Sequence, residues 1–261
     1  MSIVTVSRAE DGVYELVLDR PEARNALSIE MCDAIVAALE SIDAKADART
    51  VLVRGNGRIF CAGADFAAVS GPGGIEFLPA FERMLDTLAR FRLPTIASIH
   101  GAALGGGLQL ACVCDFRIAA ADASLGIPSS RLGIVVNFEN VQRLVGLVGP
   151  AIAKEILMTA RSFSGDEAVT IGLLTSSVHE RELSDEALSY ARRIAELAPL
   201  SVQGAKAAVQ ATMDHMTGVR RSDPDAAQAI DRLVEQAYRS DDLAEGLKAM
   251  AEKRQPRFDG L

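Results

Sequence analysis

The sequence predicts an α/β protein that ends in helices, and three features carry that prediction. Alternating apolar residues in "VYELVLDRP" are followed by a helical pattern and a second apolar strand, a β-α-β opening. The strand pattern "TIASIHG" runs directly into the glycine cluster of "GAALGGGLQLACVCDF". From about Leu183 onward only helical patterns occur.

The first strand stops at Pro21, and Ser28 is placed to cap a helix whose Met31, Ile35, Leu39 and Ile42 share one face. "RTVLVRGNG" reads as a strand closing in a Gly-Asn-Gly turn, and "RIFCAGADF" leads the chain back. "SGPGG", Ser70 to Gly74, reads as a flexible loop. The next amphipathic helix carries Phe81, Leu85, Leu88 and Phe91 and must end before Pro94. "DFRIAA" is a strand, and "GPAIAKEILMTA" a helix with Pro150 at its first position. Ser164 and Glu167 form an S-x-x-E capping box. Residues 1–195 are expected to form the core and residues 196–261 a helical C-terminal region. That region packs on a neighbouring subunit or closes its own domain, and both readings stay open.

At 261 residues the chain suffices for one large domain, or one with a small appendage. A net charge of −8 and a pI near 5.0 argue against broad nucleic-acid binding and leave room for one local anion site. The four cysteines, Cys32, Cys61, Cys112 and Cys114, contain no C-x-x-C pair, and three histidines complete no metal pattern. Free thiols in a reducing compartment are expected. The opening "MSIVTVSRAEDG" is no secretory signal, and no apolar run nears the ~20 residues a bilayer requires, so a cytosolic protein without a membrane span is predicted.

The glycine cluster fits neither G-x-x-x-x-G-K-[ST] nor G-x-G-x-x-G, because Leu110 stands where the third glycine of the second motif belongs. Two explanations remain. Unpaired amides at a helix start hold a developing anion such as a thioester enolate, with glycine allowing close approach. Otherwise the glycines only let a helix pack closely.

"RPEARNALS", "FCAGADF", "GAALGGGLQLACVCDFRIAA", "LGIPSSRLGI" and "AVTIGLL", together with the ending "EKRQPRF", occur in the order and at about the spacing of the crotonase, or enoyl-CoA hydratase/isomerase, family. The chain resembles that family over nearly its whole length. The resemblance implies a spiral of β-β-α units with C-terminal helices that assemble trimers, often paired into hexamers. It implies an acyl-CoA thioester as ligand, with no further cofactor. By position, the amides of Ala64 and Gly106 would form an oxyanion hole, in which one donor typically contributes about 3 kcal/mol to the transition state. Arg24, Ala62, Ala64, Asp65, Phe66 and Gly106 would lie on the CoA side. Arg24 would meet a phosphate, or else is an ordinary solvated loop arginine. Lys253 and Arg254 are further cations that would reach CoA phosphates of the same or an adjacent subunit, or else mark an exposed helix end.

Members that hydrate an enoyl-CoA are expected to use two glutamates. Their positions correspond to Gln109 and Ser129 here, so both carboxylates are absent. Neither side chain takes a proton near neutral pH, and a positioned acid or base contributes about 10²–10⁴-fold. The positions at which other branches place a carboxylate or a tyrosine hold Asn137 and Val136. Glu139 is the nearest acid, either a displaced general base or simply a first-turn acid that suits the helix dipole behind an Asn137 cap. Ser129 as a nucleophile would need a base, and none of His100, His179 and His215 lies in a motif that supplies one. Gln109, Ser129 and Asn137 as a neutral lining, beside apolar Ile134, Val135, Val136 and Phe138, predict an acyl group with a polar or carboxylated end. Two classes of function follow. One is an enzyme that stabilises a thioester enolate with unusual acid/base groups, an isomerase, decarboxylase or weak hydratase; the other is a non-catalytic acyl-CoA binding protein.

Overall fold

The computed structural model describes residues 2–65, 73–217, 232, 236 and 240–259. Strands β1 (Val4–Glu10) and β2 (Val13–Leu18) form an antiparallel hairpin around Gly12, whose φ of +74° favours glycine. β1 escapes a reading by apolar alternation because only Val4 of its residues is fully buried. Helix α1 (Ile29–Asp43) starts where Ser28 Oγ accepts from the Met31 amide at 3.2 Å, a cap worth about 1 kcal/mol. Its Met31, Ile35, Leu39 and Ile42 are buried on the predicted face.

β3 (Thr50–Gly55), β4 (Thr95–Ile99), β6 (Phe116–Ala120) and β8 (Ser176–Val178) continue from β2 in parallel, giving the order β1-β2-β3-β4-β6-β8. β4 is buried at every residue, the mark of a parallel strand covered on both faces. The chain also builds a second, smaller layer. Leu27 bridges Ala64, Cys61 bridges Ala103, β5 (Ala102–Leu104) pairs with β7 (Ser124–Gly126), and Leu125 bridges Phe163. Each turn thus sets one strand in the large sheet and a short segment in the second layer before entering a helix. The expected spiral of β-β-α units is therefore present.

Helix α2 (Gly73–Ala89) follows the 61–64 segment, and α3 (Gly106–Cys112) follows β5. Gly73 and Gly74 are already helical, so the loop predicted over Ser70 to Gly74 ends earlier; its other residues lie outside the described ones. The long helix α4 (Phe138–Thr159) is two helices meeting at Gly149, where φ is +72° and ψ 168°. Pro150 therefore opens the second, as its missing amide favours. α5 (Gly165–Thr170) carries both bonds of the Ser164/Glu167 capping box. α6 (Leu183–Ala195) lies across β3, β4 and β6, burying Leu183, Ala187 and Ala191.

α7 (Pro199–Thr217) is fastened to this core by Lys206, whose Nζ meets Asp115 Oδ2 at 2.7 Å and donates to the Leu93 carbonyl at 2.9 Å. The same Asp115 oxygen accepts from the Thr95 amide and hydroxyl. Arg90 and Asp214 add an ion pair. α8 (Asp241–Glu252) closes the described chain before an irregular end. No helix of the described residues is long and apolar enough to cross a membrane.

Candidate active site

The three glycines that enter α3 differ in what they make room for. Gly105 has φ +54° and ψ −120°, open to glycine alone, although a Cβ there would meet nothing within 4 Å. At Gly106 a Cβ would come 3.3 Å from the Phe81 ring and 3.4 Å from Leu27. At Gly107 it would collide with the Cys61 carbonyl at 2.4 Å. Close packing and a site open to ligand thus fall to different glycines of one cluster.

The 61–65 segment runs along the start of α3. Its Gly63 has φ +99°, and a Cβ there would lie 2.6 Å from the Leu104 carbonyl and 3.2 Å from the Gly106 nitrogen. Ala62 donates to Arg24 O, and Asp65 to Leu27 O, which fixes the backbone on both sides of Ala64. The amides of Ala64 and Gly106 donate to no other group among the described residues. Two unpaired N–H donors therefore sit on adjoining segments at one cavity.

That cavity, of about 710 Å³, is lined by Arg24, Ala62, Ala64, Asp65, Gly106, Gln109 and Ser129 of the predicted residues. Phe66 lies outside the described residues. Glu139 does not line the cavity. Asn137 caps α4 by accepting from the Asn140 amide at 3.1 Å, and Asn137 and Asn140 both face the cavity. At 100° per residue, Glu139 is turned some 200° away from Asn137. Asn137 is thus engaged by its helix through its oxygen and by the Glu82 carboxyl through its amide, whereas the side chains of Gln109 and Ser129 bond no protein group among the described residues. Ile134, Val135 and Val136 line the cavity as expected, but Phe138 is 72% exposed and does not.

The loop before α1 is held by Asn25, a fully buried residue that the sequence reading passed over. Its Nδ2 donates to the carbonyls of Asn56, Ile59 and Phe60, and its Oδ1 accepts from the Arg20 amide. Arg20 in turn pairs with Asp65 at 3.3 Å. Arg24 and Asn25 both have positive φ, near +54°, and Arg24 is exposed at this turn without an acidic partner among the described residues.

A second unforeseen residue is Glu82 on α2, which lines the cavity beside Phe81. Its Oε1 accepts from Asn140 Nδ2 at 2.9 Å, and its Oε2 is buried with no hydrogen-bond partner of good geometry among the described residues. Burial raises its carboxyl above the ordinary range, opposed by the Arg143 cation and the two asparagine amides. The available signal was an acid set between Leu78, Phe81 and Leu85 on the apolar side of a helix.

Of the remaining candidates, His100 and Arg254 have structural partners. His100 bonds the Gly57 carbonyl at 3.0 Å, and the His215 side chain lies outside the described residues. Arg254 is held by Glu245 and Glu252 at a wider concavity of about 1020 Å³ in the C-terminal region, whose lining has more acids than arginines. It is a clamp residue, and Lys253 is exposed beside it. Burial pushes the thiols of Cys32, Cys61 and Cys114 up to about 12 and that of Cys112 to about 11, which leaves them protonated and unreactive. Among the described residues no cluster of His, Cys, Asp and Glu is arranged to hold a metal.

The family model for enoyl-CoA hydratase/isomerase matches residues 8–260. The chain is 34% identical over 259 residues to the probable enoyl-CoA hydratase 2, mitochondrial, of Arabidopsis thaliana, covering 98% of this chain and 84% of that protein. It is 35% identical over 253 residues to the probable enoyl-CoA hydratase of Bacillus subtilis (strain 168), covering 95% of each. The crystal structure of an enoyl-CoA hydratase from Bacillus anthracis superposes with a TM-score of 0.89 at 32% identity, over 99% of this chain and 100% of that one.

Proposed function

This chain belongs to the enoyl-CoA hydratase/isomerase family, and we propose that it is an acyl-CoA-processing enzyme that draws a thioester carbonyl onto the amides of Ala64 and Gly106. The observation that carries this reading is the pair of unpaired amides at the mouth of one cavity. Donors already aimed at the oxygen stabilise the negative charge that grows there as an enolate forms, and no reorganisation is needed at that moment. Arg24, beside Ala62 and Asp65, supplies the cation for a CoA phosphate. No cofactor beyond the CoA of the substrate is required.

The acid/base chemistry differs from that of a two-glutamate hydratase. Gln109 and Ser129 line the cavity but hold no ionisable proton, so they orient a ligand by hydrogen bonds. Isomerisation, decarboxylation or weak hydration are the reactions this pattern suits. Arg131, also at the cavity, favours an acyl group with a polar or carboxylated end. The same absence of carboxylates at positions 109 and 129 favours a second reading, a non-catalytic acyl-CoA binding protein. The free thiols, three of them buried, suit a cytoplasmic location.

The test is mass spectrometry of saturated, unsaturated and carboxylated CoA esters incubated with the protein in deuterated water, beside Gly106→Pro and Gly106→Ala. Proline removes the amide, whereas alanine adds the same Cβ near Phe81 and keeps the donor. A conversion or deuterium uptake that falls by about 10²–10³-fold with proline and far less with alanine is expected. Silence across esters that demonstrably bind would favour the binding-protein reading.

A further inference from the structure

We propose that Glu82 is a catalytic residue of this site, the base that takes a proton from the carbon next to the thioester carbonyl and returns it. This rests on the reading that the cavity holds an acyl-CoA thioester with its carbonyl oxygen on Ala64 and Gly106. In the step, the C–H bond breaks and its electron pair moves into the carbonyl to give the enolate. The proton goes to Glu82 Oε2. Once the proton on Glu82 has been replaced by a solvent deuteron, its delivery to the same carbon gives exchange, and delivery two carbons along an unsaturated chain moves the double bond.

Three observations single out Glu82 among the acids at the cavity. Asp65 is paired with Arg20, and Glu22 is exposed at the loop before Arg24, whereas Glu82 is half-buried. Its position follows from packing: Phe81, the preceding residue on α2, lies against Gly106, so α2 presents Glu82 to the same cavity as the Gly106 amide. Its two oxygens are also treated differently. Oε1 is anchored by Asn140 at 2.9 Å, whereas the buried Oε2 is the less engaged of the two, with the Arg143 cation 3.7 Å away and the Asn137 amide beside the carboxyl.

The charged groups around it fix this arrangement. Arg143 on α4 stands 3.7 Å from Oε2, but its guanidinium is engaged by Asn140 Oδ1 at 2.7 Å and by Asp86 at 2.5 Å. Glu139, on the same helix, disfavours ionisation of Glu82, while Arg143 favours it. Arg131 adds a further cation at the cavity. Desolvation outweighs these attractions, so the carboxyl titrates above the ordinary range and is a stronger base than a solvated glutamate. Asn140 and Arg143 are positioning residues.

The experiment measures deuterium entry at the carbon next to the carbonyl of butyryl-CoA, vinylacetyl-CoA and glutaryl-CoA, from pH 5 to 9, for wild type, Glu82→Gln, Glu82→Asp and Gly106→Pro. Binding of each ester is followed by calorimetry. Wild-type exchange should rise with pH along one limb above the ordinary carboxylate range. Glu82→Gln should lower the rate by about 10²-fold or more and abolish the limb, with ester affinity little changed. Glu82→Asp should recover part of the rate with a shifted limb, which a merely structural role would not produce. Exchange lost in Gly106→Pro but kept in Glu82→Gln with the same pH limb overturns this inference and leaves the thioester reading standing. Absence of wild-type exchange with the esters bound overturns this inference and the enzyme reading together and leaves the binding-protein reading.

Discussion

At Gln109 and Ser129 the difference between an amide or hydroxyl and a carboxylate decides what chemistry the site supports. Both side chains reach the cavity and bond no protein group among the described residues, so the space for a hydratase pair is present and the protons are not. The double change Gln109→Glu with Ser129→Glu should raise crotonyl-CoA hydration by about 10²-fold, at the low end of the ~10²–10⁴-fold worth of a positioned acid or base. Stopped-flow loss of the enoyl absorbance would read this out, and a folded variant no faster than wild type would mean the two positions do not face one water. The glycine cluster was legible because its residues answer backbone demands, φ at Gly105 and contact at Gly107, that local sequence carries. Glu82 was not, because its role comes from Asn140 and Arg143, about sixty residues away in sequence, and from burial that only the tertiary fold creates.

Elements were legible where their ends are set by chemistry within a few residues. Ser28, the Ser164/Glu167 box and Pro150 after Gly149 each mark a helix start by a local bond or a fixed φ. β1 and β8 were missed because they are edge strands with mostly part-exposed residues, so their pairing comes from neighbours rather than from their own alternation. The end of the chain shows how a single side chain can stand in for a secondary element. Glu245 on α8 takes a two-point bond from Arg254, at 2.6 and 2.8 Å, and one from the Arg257 amide at 2.9 Å. Those bonds lower its carboxyl from 4.5 to about 2. A carboxylate held below its unfolded value contributes stability above that value and loses it as pH falls through the folded one. The Arg257 amide resonance follows protonation of Glu245 in the folded chain. It should therefore hold its position from neutral pH down past 4.5 and move only as pH falls through about 2, while the stability the clamp contributes fades between 4.5 and about 2. Glu245→Gln should displace it at neutral pH and remove the low-pH step; an unmoved resonance would show that the clamp does not form.

Across the whole molecule, the core is one continuous cluster running from the hairpin to α6, while α7 is attached by few, specific contacts. Lys206, Gln210 and Asp214 face inward to Asp115 and Arg90, or bond one another along that side. The other side of α7 carries Ser201, Ala205, Val209, Thr212 and Met216, all exposed and spaced by four and three residues. This stripe has no charge, and Val209 and Met216 are 64% and 74% exposed. An uncharged stripe at that spacing, on a chain with a net charge of −8, suits a helix that packs against another copy. A homotrimer, or a dimer of trimers, is the assembly the family resemblance implies. Light scattering on the eluting protein should give three or six times the 27.7 kDa of one chain. Val209→Glu with Met216→Glu should shift the mass to one chain while leaving the core folded, since neither residue belongs to the buried cluster. A wild-type protein that elutes as a single chain at micromolar concentration would sink the assembly. A dissociated variant that still binds CoA esters normally would show that each chain completes its own cavity, and a variant that loses binding would show that the neighbouring copy contributes to it.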